Sequence, residues 1–138
     1  MILFENSMFK LDYDPASDIL EIDYPDLQDY LLREVKHTMD IVLDIVRNYN
    51  IRHVLFNSTA AATSNITVEE SRELIMYFAT GLVKTRLVKL ARIRSADFAT
   101  EARIEESIKQ AASQFIYTPF ELQDFTDKGQ ALDWLVGD

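Results

Sequence analysis

Few residues in this chain could do chemistry by themselves. There are two histidines, His37 and His53, and no cysteine. A tightly held transition metal needs several imidazole, thiolate or carboxylate ligands at set spacings. His37 and His53 share no such spacing, so no metal site is expected. Carboxylates are plentiful, and Asp40 and Asp44 stand one helical turn apart. Acids on an exposed helix face are ordinarily a solvated surface rather than an acid–base pair. A glycine-rich phosphate loop, a Gly-x-Ser-x-Gly elbow and a dinucleotide fingerprint are all missing from the sequence. The expectation is a non-catalytic protein without a cofactor.

Hydroxyls and arginines make the better candidates. Residues 58–65 form a small, polar, uncharged run that contains Ser58, Thr59, Thr63 and Ser64, and Thr67 follows. The run leads into a helical pattern, and a helix N-terminus favours an anion. A phosphate on Ser64 or Thr67 would sit at that positive end, where an arginine could pair with it. The plainer reading is that the hydroxyls cap the helix. Thr67-Val68-Glu69-Glu70 matches a capping box, in which hydroxyl and carboxylate satisfy each other's backbone N–H groups. Between Lys84 and Arg94 lie five basic residues and no acid. Arg92, Arg94 and Ser95 adjoin a second loop, 95–100, and are candidate contacts for an anion or a partner. Here too the plainer reading is solvated or internally paired charge. Tyr77, Phe78 and the aromatics between Phe115 and Phe125 could line an apolar cavity, although aromatics at such spacings are more often core. Trp134 is expected to be buried against the last strand.

The elements that must position these residues follow from hydrophobic periodicity. Phe9, Leu11 and Tyr13 alternate with polar residues, as do Leu20, Ile22 and Tyr24, and Asp14-Pro15-Ala16-Ser17-Asp18 supplies turn chemistry between them. This predicts an antiparallel hairpin. Asp26 is a suitable N-cap for a helix whose stripe is Leu27, Leu31, Val35, Met39, Val42 and Val46. His53–Asn57 reads as a buried strand. The Thr67 helix carries Leu74, Ile75, Phe78 and Leu82 inward. Residues 87–94 form the next strand. Thr100 is expected to cap a third helix with Ile104, Ile108, Ala111 and Phe115 inside. Phe120–Phe125 is the last strand, and Asp127 caps a short helix carrying Ala131, Trp134 and Leu135. The order is ββαβαβαβα. It predicts an α/β fold with a mixed five-stranded sheet, a leading antiparallel hairpin followed by parallel strands, flanked by four helices.

Composition agrees with this. The chain has 138 residues, 48% hydrophobic and 27% charged. That length suits a single domain spanning 1–138, able to bury roughly 68–70% of its unfolded surface. The charge of −9 disfavours nucleic acid, whose phosphates need a basic face. The first residues lack a basic, then long apolar, leader, and no apolar run could cross a bilayer. A cytoplasmic location without membrane insertion is therefore expected.

The element order, the opening Phe9–Tyr24 hairpin and the unit His53-Val54-Leu55-Phe56-Asn57 followed by a capped helix resemble STAS-like domains, the fold of bacterial anti-sigma-factor antagonists. The closing run from Phe125 to Leu135 is similar to a small subgroup related to both STAS and CRAL-TRIO lipid-carrier domains. The resemblance covers nearly the whole chain. It implies a regulatory protein-interaction module, with a protein partner and a possible homodimer. The subgroup's lipid-carrier kinship implies the alternative, a carrier or sensor of a small apolar or lipid-like ligand. Regulatory antagonists carry Asp-Ser followed by a small residue and Gly. The matching loop here, Ala61-Ala62-Thr63-Ser64-Asn65-Ile66-Thr67, offers hydroxyls without that aspartate or glycine.

Overall fold

In the computed structural model, residues 1–6, 9–23, 32–59, 67–115 and 118–137 are described. Six strands form one sheet: β1 (Ile2–Glu5), β2 (Lys10–Asp14), β3 (Ile19–Asp23), β4 (His53–Asn57), β5 (Lys89–Ile93) and β6 (Glu121–Phe125). Four helices accompany them: α1 (Leu32–Asn48), α2 (Val68–Leu82), α3 (Phe98–Ala112) and α4 (Lys128–Val136). The sheet is mixed, as expected, with β1–β3 antiparallel and β3–β6 parallel. It has six strands rather than five. The extra strand, β1, is a short apolar run without alternation, so no period-two signal marked it. It lies on the sheet edge against β2, and its terminal ammonium meets Asp12 at 3.0 Å.

The turn between β2 and β3 is built as its residues suggest. Asp14 still pairs with Ile19, and its carboxylate accepts hydrogen bonds from the Ala16 N–H and the Ser17 hydroxyl. Asp18 closes the turn at a φ of 55°, in the left-handed region that aspartate tolerates better than most residues. The proposed Asp26 cap and the first turns of its helix fall outside the described residues. At α3 the capping residue is Asp97, not Thr100. The helix begins at Phe98, two residues before Thr100, and both the N–H and the hydroxyl of Thr100 donate to the Asp97 carboxylate. The Thr67 capping box on α2 and the Asp127 cap on α4 are present.

Strand order equals sequence order, β1 to β6. Every crossover therefore steps the same way. Since such crossovers are right-handed, α1, α2 and α3 all land on one face. α4 follows the last strand and takes the opposite face, where Ala131 and Leu135 pack on Ile19, Leu55, Ala91 and Ile93. Trp134 is half-buried there, tilted against Phe125 at 5.7 Å, rather than fully covered.

On the three-helix face, strand register aligns two cross-sheet rows. One runs Tyr13, Leu20, Val54, Leu90, Leu122; the other runs Leu11, Ile22, Phe56, Arg92, Asp124. The α1 stripe Val35, Met39, Val42 and Val46 closes over the apolar beginning of both rows, together with Leu74, Phe78 and Leu82 of α2. Gly81 lets α2 approach α1 closely, because a Cβ there would overlap the Leu43 side chain.

Candidate ligand cavity

Over β4–β6, between α2 and α3, the layer does not close. A cavity of about 330 Å³ remains. Its walls are Leu74, Ile75 and Phe78 of α2, Ile104 and Ile108 of α3, and Phe56, Leu90 and Leu122 of the sheet. The space exists because facing positions carry small side chains: Ala79 on α2, Ala111 and Ala112 on α3. Large residues at these sites would interdigitate and fill it, as packed interiors normally do.

The cavity has a direction. Toward the start of β6 its lining is open: Ala112 and Thr118 are exposed and Leu122 is 41% exposed. Toward the strand C-termini it is blind and polar, with Ser58 at 2%, Ser71 at 5% and Arg92 at 5% exposure. Phe115 and Phe120 belong to the lining as well.

Arg92 seals the blind end. Its Nε donates to Asp124 at 3.1 Å, and its two terminal nitrogens hold Glu101 bidentately at 3.0 and 2.6 Å. Burial opposes the charged guanidinium, yet the hydrogen bonds to these two carboxylates outweigh it and hold its pKa above the ordinary arginine value. Burial likewise pushes Glu101 up, but Arg92 and the Ser95 N–H, 2.8 Å away, hold its carboxyl below the usual range. Arg94 meets Glu105 at 3.4 Å farther out. Oxygens of Glu101, Glu105 and Asp124 lie within 4.8 Å of one another, a spacing at which three carboxylates could hold a cation. In this cluster the positive charge comes from Arg92 and Arg94.

The other sequence candidates are placed as follows. Ser58 lines the cavity, and its N–H donates to the Ile93 carbonyl. The Thr59 hydroxyl donates to Asn57, and the Thr59 carbonyl accepts from the Ala96 N–H, so the loops after β4 and β5 do meet. Thr67 is the α2 cap. Ser95 is buried and its hydroxyl accepts from the Asp97 N–H. Thr63 and Ser64 lie outside the described residues. Of the aromatics, Phe78, Phe115 and Phe120 line the cavity, whereas the Tyr77 hydroxyl donates to Asp40 and Phe125 packs on the opposite face. Among the described residues, no helix is long and apolar enough to cross a membrane.

Residues that sequence reasoning passed over are Ser71, Glu101 and Asp124. The usable signal was the unpaired basic stretch itself: an arginine inside a buried strand requires acids from neighbouring elements. Compared with protein-family models, curated proteins and solved structures, the chain matches none.

Proposed function

We propose that this protein is a binding protein, a carrier or sensor that takes one small apolar ligand into the cavity between α2 and α3. The observation that carries this reading is a 330 Å³ space with an apolar wall, an open mouth and a polar blind end. Ligand sites are typically concave and mostly apolar, with a few placed polar groups, and begin at about 300 Å³. The volume is roughly twice that of a dry cavity known to accept benzene, which suits a ligand of about ten to twelve non-hydrogen atoms. The reading is non-catalytic because the titratable groups at the blind end are engaged with each other. The resemblance to STAS-like and lipid-carrier domains is in keeping with it.

A thermal melt with decan-1-ol tests this. Ligand at a hundredfold excess over its Kd stabilises by about 2.7 kcal/mol, or roughly 9 °C for a chain of this size. Ala111→Phe, which fills the cavity, is expected to abolish that shift while the free protein melts no lower than the original. A shift that persists in Ala111→Phe, or none in the original, contradicts the reading.

A second reading, a protein-interaction module, has one specific observation behind it. Phe98, at the start of α3 beside the joined loops, is 87% exposed. Large exposed aromatics are the kind of residue that anchors protein interfaces. Phe98→Ala is expected to weaken capture of a cytosolic partner or of a second copy. Equal capture by both proteins removes this reading.

A further inference from the structure

The blind end of the cavity has a definite electrostatic character, and it bears on which apolar ligand the site accepts. Each nitrogen of the Arg92 guanidinium already donates to a carboxylate of the chain itself. Two carboxylates, Glu101 and Asp124, face one guanidinium, leaving an excess of one negative charge. The Arg94–Glu105 pair beyond them balances itself. The remaining polar groups there are hydroxyls, Ser58 and Ser71, which accept and donate without charge.

Resting on the cavity reading above, we propose that the site selects uncharged lipophiles bearing one hydrogen-bonding oxygen, inserted oxygen-first toward Ser58 and Ser71, and rejects the matching carboxylates. An alcohol or carbonyl oxygen can exchange hydrogen bonds with the serine hydroxyls, and its tail then lies along Leu74, Phe78, Ile104 and Ile108 toward the mouth. A carboxylate placed there loses its water and, among the described residues, meets Arg92 and Arg94 already paired with carboxylates of the chain. The charged side chain in the lining is Arg92, and the two carboxylates behind it, Glu101 and Asp124, already exceed its charge, so a ligand carboxylate gains no net attraction there. The apolar walls by themselves do not distinguish the two compounds, since their tails are the same. Charge at the closed end does.

The test is a matched pair, decan-1-ol and decanoate, titrated at pH 7.5 into the full chain and followed by methyl chemical shifts. The alcohol is expected to bind at least about tenfold more tightly, a ratio equivalent to 1.4 kcal/mol. Asp124→Asn removes the surplus charge yet leaves Glu101 bidentate on Arg92. It is expected to tighten decanoate by about tenfold and leave the alcohol within about twofold, with folding verified by circular dichroism. Decanoate binding as tightly as decan-1-ol overturns the selectivity while leaving the cavity reading intact. So does a preference that Asp124→Asn leaves unchanged, because the headgroup then sits away from the blind end. Failure of both compounds to shift any cavity methyl overturns the cavity reading and this proposal together.

Discussion

The two halves of the three-helix face start from the same register and end differently. Under α1, the cross-sheet rows present Leu11, Tyr13, Leu20 and Ile22, and the helix answers with Val35, Val42 and Val46, while Met39 reaches the cavity lining at the border. Shape and volume match, and the layer is closed. Under α3, the same rows present Leu90, Leu122, Arg92 and Asp124, and the helix answers with Ile104, Ile108, Ala111 and the carboxylate of Glu101. An ion-pair cluster ties α3 to the sheet at one end, while small side chains leave the span between unfilled. The closed half therefore supplies stability and the open half supplies room. The contrast comes from side-chain volume and charge at equivalent positions, since strand pairing is regular across both.

The sharpest way to break this contrast is to remove volume from each half. Leu20→Ala, in the closed half, is expected to lose about 3–5 kcal/mol in urea unfolding, because a new cavity adds to the lost transfer energy. Ile108→Ala, on a wall that already borders empty space, is expected to lose about 1–2 kcal/mol. Equal losses would mean the halves are packed alike.

Next in size is the tie at the blind end. Arg92→Ala is expected to lose about 2–3 kcal/mol, below the 3–5 kcal/mol of a fully dry pair, because Asp124 retains contact with water. A double variant, Arg92→Met with Glu101→Gln, is expected to recover part of that loss. If the single variant costs under about 0.5 kcal/mol, α3 is not held by this cluster.

The same cluster sets a pH dependence. The folded Glu101 carboxyl titrates below its unfolded value. Its contribution is thus fully present above the ordinary glutamate pKa of about 4.3 and fades as pH falls through the folded value. Glu101→Gln is expected to flatten the fall in unfolding free energy below that pH, measured by urea titration at steps of half a pH unit. An unchanged slope would place the acid sensitivity elsewhere.

The smallest effect expected is a gain. Ala79→Leu, which points volume into the open half, is expected to stabilise the ligand-free protein by about 0.5–1 kcal/mol while weakening decan-1-ol. A loss of stability would show that the space is already occupied by wall side chains.

Much of the fold could be read from the chain because its elements carry strong periodic signals. Leu11 and Tyr13 alternate, Val35 to Val46 repeat at helical spacing, and Thr67 and Glu70 form a box that depends only on local sequence. The strand at Ile2–Glu5 could not be read, since its pairing is decided by β2 and not by its own pattern. The cavity was only half legible. Phe78, Phe115 and Phe120 were visible as aromatics with an ambiguous role. That they border a void depends on Ala79 of α2 and Ala111 of α3 both lining it, a matter of helix placement that no local pattern encodes. Arg92 read as a candidate contact for an anion or a partner beside a loop, with solvated or internally paired charge as the plainer reading. Its burial and its partners follow from register with Asp124 and from the angle at which α3 returns over β5.

The most direct measurement is a set of intermolecular nuclear Overhauser effects between protonated decan-1-ol and the protein with labelled methyl groups. The expected result is contacts from the ligand's terminal methyl to Leu122 near the mouth and from its mid-chain to Leu74, Ile104 and Ile108. Contacts confined to Val35, Val42 or Leu135, or none to any methyl between α2 and α3, would contradict the claim that the open half is a ligand site.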